Sequence, residues 1–338
     1  MNTEAKQKRC EKIKEMVNLG RTSQEINNIC IYGMGGIGGY FGGKIADAIS
    51  KFQIPNKKVF FIARGEHLAE IKKNGLILNT IDQQGIVCKA DLATDDITEI
   101  PTPDLCLICV KSYGLDKAVQ DLAKIINKDT IVIPLLNGVD IYERIRSILS
   151  TGIVLPACVY VGTHIEKPGM VSQAGGDGMI LLGKDPAHLD FDAGAVVELF
   201  GATKLNFKWN DDAYPAIWEK YMFIASFALV TAWSGKTFGE IMENEDLQLR
   251  TRRIMSEIYA LSEKKQIGLP ADIVDVSMNK AHRFPFEAKT SYQRDIEKGK
   301  LNEGDLFGAA IIKMGEAMNI ATPVTQQIYS EIEQKLAE

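Results

Sequence analysis

Short apolar runs alternate with amphipathic stretches along the first half of the chain. Residues 29–32 are wholly apolar, as expected of a strand buried on both faces. A glycine-rich turn follows. Residues 40–51, small and apolar on one face, then predict a helix. Residues 58–64 predict a second buried strand, and 65–73 a helix ending at Asn74-Gly75. Residues 76–80 and 86–89 flank a turn, Asp82-Gln83-Gln84-Gly85, and predict a β-hairpin. A strand at 105–110, a helix at 115–127, a strand at 130–136 and a helix at 139–149 continue the alternation. Such spacing indicates βαβ units and a parallel sheet. Strand-like pieces recur at 153–161, 170–173 and 179–182.

After Trp209 glycine thins out and helical periodicity dominates. Residues 213–233 form one long apolar-rich helix candidate, and later helices are bounded by Gly268-Leu269-Pro270, by a loop from Arg283, and by Thr322-Pro323. The expected organisation is an extension at 1–27, a dinucleotide-binding α/β domain at 28–208 and an all-helical domain at 209–338. Within the extension Cys10, Ile13, Met16 and Val17 fall at helical spacing, but a surface-docked tail is the simpler reading.

Composition removes several classes. With 338 residues, 46% hydrophobic and 25% charged, the chain is neither disordered nor fibrous. Its 39 basic and 44 acidic side chains balance to −5, too even for an electrostatic nucleic-acid binder. No run of about 18 apolar residues predicts a membrane span. The charged start has no apolar core of a signal peptide. Six scattered cysteines fit a reduced, cytoplasmic setting. Cys106 and Cys109 have CxxC spacing but lie in a predicted strand, where positions three apart face opposite ways. That suits neither a redox turn nor a zinc site, and no metal is expected.

Gly33-Met34-Gly35-Gly36-Ile37-Gly38 matches GxGxxG. The first glycine allows the tight turn, the second lets a pyrophosphate approach the backbone, and the third lets helix and strand pack closely. The turn follows a buried strand and opens a helix, whose N-terminus offers free N–H groups to phosphates. The second strand ends at Ala63-Arg64-Gly65 without an acidic residue, and the Arg64 fork suits a ribose 2′-phosphate. The expected cofactor is therefore NADP(H).

These segments, together with Cys109-Val110-Lys111-Ser112-Tyr113, Leu136-Asn137-Gly138, Trp218-Glu219-Lys220, Thr290-Ser291-Tyr292-Gln293-Arg294-Asp295 and Asn302-Glu303-Gly304-Asp305, resemble the ketopantoate reductases (2-dehydropantoate 2-reductases). The resemblance runs from about Asn28 to the end. It implies a Rossmann domain followed by a helical domain, with NADPH-dependent reduction of a small 2-oxo acid in the cleft between them. It assigns the catalytic lysine to Lys220, the functional glutamate to Glu303 and a substrate-contacting serine to Ser291. Lys111 and Asn137 would contact the cofactor, and Asn137 would also border the substrate. Family members occur as monomers and homodimers, and the sequence chooses neither.

Residue chemistry supports part of this independently. Hydride arriving at a ketone carbon leaves charge on oxygen, so a positioned acid is needed. Lys220 sits in an apolar stretch, where a lysine needs a partner or a route to the surface. Other readings remain for the rest. Asn302 could cap a helix with Glu303 in its first turn, Ser291 could itself be an N-cap, and Asn137-Gly138 could be an ordinary turn. The four histidines show no ligand spacing and suggest no carboxylate partner.

The sequence departs from the family on the helix of Lys220. Asparagines four and eight residues on are replaced by Ile224 and Ala228, and a third aligns near Phe238. Ser226, Thr231 or Ser234 could supply replacement contacts, although Ser226 lies roughly 240° around the helix from Lys220. The alternative is a different, more apolar 2-oxo acid or ketone. A non-catalytic NADP-binding regulator is a third reading, against which the retained Lys220 and Glu303 count.

Overall fold

The apolar run at the start of the fold becomes β1 (Asn28–Tyr32), the central strand of a six-stranded sheet. The computed structural model describes residues 25–337, so the proposed tail helix and Cys10 lie outside the described residues. The other strands of this sheet are β2 (Lys58–Ile62), β5 (Leu92–Thr94), β6 (Leu105–Ile108), β7 (Ile131–Pro134) and β8 (Ile153–Val154). Their order is β5-β2-β1-β6-β7-β8, and every pairing is parallel. Cys30 lies opposite Phe60 and Cys106, whereas Ile31 lies opposite Phe61 and Leu107. Alternate residues therefore enter different cores. Cys30, Phe60, Cys106 and Val132 join a core that continues into the helical half. Ile31, Phe61, Leu107 and Ile133 join the other. Cys106 and Cys109 lie in these opposite cores, as strand geometry requires. The order reverses between β1 and β6, which leaves a crevice at their carboxyl ends.

The hairpin forms as expected, with β3 (Leu76–Asn79) antiparallel to β4 (Ile86–Cys88), but it belongs to a second sheet. There β10 (Met170–Gly183) pairs with β3, with β9 (Ala157–Lys167) and with β11 (Asn206–Asn210). Two sequence expectations change here. The stretch 153–161 divides at Pro156, which has no N–H to offer a ladder, so β8 and β9 join different sheets. The pieces 170–173 and 179–182 are one strand, whose register shifts at the glycines between them.

Helix α1 (Gly36–Phe52) lies between the two sheets. Its glycines make this possible. A Cβ at Gly39 would stand 2.5 Å from Val171 of the second sheet, and one at Gly42 would stand 2.9 Å from Ile31 of the first. Next come α2 (Gly65–Asn74), α3 (Leu115–Leu122), α4 (Ile141–Arg146) and α5 (Gly194–Ala202). Helix α3 is shorter than the 115–127 expected. The chain tightens into turns before Asn127, whose side chain accepts from the amides of Asp129 and Thr130.

The helical half is built around α6 (Tyr214–Ser234), which is apolar on nearly every side and correspondingly buried. Pro215 lies at its start, where its missing N–H costs nothing, and Gly235 ends it in the left-handed conformation at φ 73°. Around it pack α7 (Phe238–Met242), α8 (Glu245–Lys264), α9 (Ile273–Lys280), α10 (Ser291–Glu297) and, beyond α11 (Ala310–Met318), which packs on α8, the last helix α12 (Pro323–Ala337). A single π-helical turn, Asp305–Ala309, leads into α11. Among the described residues no helix is long and apolar enough to cross a membrane.

Candidate active site

The glycine turn closes the carboxyl end of β1. Gly33 takes φ +95°, and its N–H donates to the Ile62 carbonyl at 3.0 Å. A Cβ on Gly38 would collide with the Gly33 carbonyl, so the turn and helix can approach this closely only with glycine there. Gly35 differs, because a Cβ built on it would meet no atom within 4 Å. Its backbone faces open space at the start of α1, which has no side-chain cap. Gly36 lies against Thr163 of β9, Met34 is buried and Ile37 is partly buried.

His67, for which the sequence suggested no role, fixes this turn. Its Nε2 lies 2.7 Å from the Met34 carbonyl and its Nδ1 accepts the Gly169 N–H at 3.0 Å, which assigns the proton to Nε2. Burial keeps its pKa below the ordinary histidine value, partly opposed by the Met34 bond. Arg64 follows the carboxyl end of β2. It is exposed, in extended conformation at the N-cap of α2, and forms no ion pair among the described residues. An open glycine backbone, an uncapped helix start and an exposed guanidinium fit the phosphates of a dinucleotide.

Lys111 follows β6 and reaches across to the helical half. Its Nζ lies 2.7 Å from Glu303 and 3.2 Å from Asp295 of α10. Burial would lower the Lys111 ammonium, but the two carboxylates outweigh it and hold it above the ordinary lysine value. The other oxygen of Glu303 accepts the Ser112 N–H at 3.2 Å, and the Ser112 hydroxyl donates to Asp305 at 2.7 Å. Arg144 of α4 completes the clasp by donating to Asp305 at 2.9 Å. Glu303 is buried. Its carboxylate faces these partners, while its backbone carbonyl accepts the Leu306 N–H at the start of the helical turn that follows. Asn302 accepts the Gly304 N–H locally.

Lys220 lies on the second turn of α6 and points toward the loop after β7. Its Nζ donates to Asn137 Oδ1 at 2.8 Å. Among the described residues it has no carboxylate ion-pair partner. Desolvation lowers its pKa below the ordinary lysine value, opposed in part by Cys158 and Glu303. A narrow crevice lies here, lined by Leu136, Asn137, Cys158, Ile217, Lys220 and Ile224 among others. The structure thus joins Lys220 to Asn137, and Lys111 to Glu303. It does not bring Ser291 or Arg64 into direct contact with either pair.

Ser291 is the first residue of α10, and the cap is Thr290, whose hydroxyl accepts the Gln293 N–H at 3.1 Å. The N-cap reading for Ser291 is therefore replaced by a position one residue inside the helix, and its hydroxyl has no hydrogen bond among the described residues. Of the three apolar replacements, only Ile224 lines the crevice. Ala228 is buried, and Phe238 stacks on Phe227 and Phe284 with ring centroids 4.7 and 4.9 Å apart. None of the candidate substitutes lines the crevice either. Ser226 is buried with its hydroxyl unpartnered among the described residues, Thr231 bonds the Ala228 carbonyl, and Ser234 bonds the Val230 carbonyl.

One further expectation is corrected. His188 does have a carboxylate partner, with its Nδ1 2.8 Å from Asp185. Asp185 is fully buried at the end of β10 and also receives Arg146, Tyr142 at 2.6 Å, and the N–H groups of Val154 and Ala187. The i, i+3 spacing was readable, but nothing in the sequence marked Asp185 as buried.

A parallel sheet with a topological switch point, a glycine turn opening a helix, and a desolvated lysine on α6 beside the loop after β7 are the parts of an oxidoreductase built around a nicotinamide dinucleotide. The family model described as "Ketopantoate reductase PanE/ApbA" matches residues 29–186, and its C-terminal counterpart matches residues 212–336. The chain belongs to this family of oxidoreductases acting on CH–OH groups. It is similar to an "Uncharacterized oxidoreductase YkpB" of Bacillus subtilis, 24% identical over 91% of this chain and 98% of that protein. It is also similar to a 2-dehydropantoate 2-reductase of Streptococcus pyogenes, 26% identical over 91% and 98%. A crystal structure of a family ketopantoate reductase from Ralstonia eutropha superposes with a TM-score of 0.81 at 27% identity, covering 92% of this chain and all of that one. A ternary structure of D-mandelate dehydrogenase with NADH and anilino(oxo)acetate shares the fold, with a TM-score of 0.81 at 21% identity over 92% and 98% of the chains.

Proposed function

We propose that this protein reduces a small 2-oxo acid to the 2-hydroxy acid with NADPH, and that Lys220 is the proton donor. The observation that carries this reading is the Lys220 ammonium, desolvated, held on Asn137 at 2.8 Å and without a carboxylate ion-pair partner among the described residues. When bound, the dinucleotide supplies the hydride. Lys220 delivers a proton to the ketone oxygen as charge develops there, and its positive charge attracts the substrate carboxylate. Asn137 orients the ammonium and borders both ligands. Glu303 and Lys111 hold the cofactor side of the cleft, and Ser291 offers a hydroxyl to the carboxylate.

The glycine turn from Gly33 to Gly38 receives the pyrophosphate. Arg64 receives the 2′-phosphate, which makes NADPH the preferred donor. The reference substrate is 2-dehydropantoate, the substrate named for the Streptococcus pyogenes relative. A second reading, a more apolar 2-oxo acid, is favoured by one observation: Ile224 lines the crevice where a hydrogen-bonding side chain would meet a substrate hydroxyl.

The test is NADPH oxidation by the purified protein against 2-dehydropantoate and a panel of other 2-oxo acids. Turnover of 2-dehydropantoate well above the panel supports the first reading, and a better competitor supports the second. Tight NADPH binding with no turnover of any compound would sink both and leave a dinucleotide-binding regulator.

A further inference from the structure

Lys220 has a second neighbour besides Asn137. Its Nζ lies 5.8 Å from the centroid of the Tyr160 ring. Tyr160 lies on β9 two residues beyond Cys158, so the two side chains share a face of the strand, and Cys158 lines the crevice. A cation within about 6 Å of an aromatic face is attracted by the ring quadrupole, most strongly where water is excluded.

Other charges near Lys220 do not supply this attraction at contact distance. Glu303 acts on Lys220 from a distance and spends its oxygens on Lys111 and Ser112. Glu219, adjacent on α6, is paired with Lys280. Burial holds the Cys158 thiol in its neutral form. The Tyr221 hydroxyl donates to the Leu306 carbonyl at 2.7 Å. The ammonium thus rests between one amide oxygen and one ring face.

We propose that Tyr160 is a positioning residue for Lys220: its ring face holds the ammonium in the crevice and sets the pH above which the proton donor is lost. This rests on the assignment of Lys220 as the acid. The direction follows from the electrostatics. The ring face favours the charged form and opposes desolvation, so removing it lets Lys220 lose its proton at lower pH. Reduction needs the charged form, so the alkaline fall in kcat/KM moves downward with it.

The experiment is the pH profile of kcat/KM for NADPH-dependent reduction of the best 2-oxo acid, in wild type, Tyr160→Phe, Tyr160→Leu and Tyr160→Met. The Phe variant keeps the ring and is expected to keep the alkaline limb. The Leu and Met variants lack the ring, and their limb is expected about one pH unit lower. NADPH binding, read by fluorescence, reports whether each variant is folded, and Met stands in if Leu is not.

A limb unmoved in the ring-less variants overturns the proposal, whatever happens to the absolute rate. So does a Phe variant that shifts as far as Leu, since the hydroxyl would then be responsible. Wild type with turnover but no alkaline limb instead removes Lys220 as the acid, and that outcome counts against the proposed function itself.

Discussion

The ammonium of Lys111 and the carboxylate of Glu303 lie 2.7 Å apart, although 192 positions separate them in the chain. Lys111 belongs to the loop after β6, and Glu303 precedes the π-helical turn of the helical half, so the contact ties the two halves together beside the crevice. Glu303 is buried whereas the Lys111 side chain is 40% exposed, so the pair is screened on one side only. In a double-mutant cycle with Lys111→Met and Glu303→Gln, the coupling in urea denaturation is expected to be about 1 kcal/mol. Strict additivity of the two changes would show that the contact contributes nothing to holding the halves together.

Replacing Lys220 by alanine removes the proposed acid and leaves the glycine turn untouched. Turnover is expected to fall by about two to four orders of magnitude. The dissociation constant for NADPH, read by fluorescence titration, should stay within a few-fold. A variant with near-normal turnover would take Lys220 out of the mechanism.

Arg64 is exposed and forms no ion pair among the described residues, so its removal should cost the fold little. Its proposed partner is a phosphate that NADH does not carry. Arg64→Ala should therefore weaken NADPH by about tenfold or more and leave NADH nearly unchanged. Parallel KM measurements with the two dinucleotides give the answer, and an unaltered preference between them would refute the assignment.

Ile224 is four residues beyond Lys220 on the same side of α6 and lines the same crevice. Ile224→Asn places an amide where the wall is apolar. The ratio of kcat/KM for 2-dehydropantoate over an unhydroxylated 2-oxo acid should rise by about tenfold. No change in that ratio would mean that the substrate side chain lies elsewhere.

Asp185 tests the fold and not the chemistry. It is fully buried and accepts from Arg146, Tyr142 and two backbone N–H groups. Burial would raise its carboxyl pKa, but Tyr142 and the backbone donors outweigh it and hold it below the ordinary carboxylate value. A depressed acid stabilises the folded state above its unfolded pKa of about 4 and loses that contribution as pH falls further. Asp185→Ala should cost about 3–5 kcal/mol at neutral pH, because Arg146 is left without its buried partner. The gap from wild type in urea midpoint should narrow below pH 4.

The parallel sheet was legible because its strands are short, wholly apolar runs separated by helices, a pattern that local chemistry sets. The glycine turn was legible because its conformational requirement falls on consecutive residues. The second sheet was not. β10 reads as two fragments because the glycines in its middle interrupt the apolar pattern, and Pro156 hides the handover from one sheet to the other. Within the site, Lys220 was suspicious from its apolar surroundings alone. The partners of Lys111 and Asp185 depend on which distant segments fold back, and no local pattern carries that. Ile224, Ala228 and Phe238 looked alike in sequence, yet only the first faces the crevice, because helix rotation and the aromatic stack around Phe284 turn the others inward.

The burial of α1 between two sheets bears on how the dinucleotide is received. The amides at its start cannot tilt or fray without separating Val171 and Ile31 from the glycines that admit them. The proposed anion receptor is therefore held in place before any ligand arrives, and little ordering entropy is charged against binding at that end. Slow amide hydrogen exchange along α1 in the unliganded protein, changing little on saturation with dinucleotide, is the signature of a receptor that folding has already assembled.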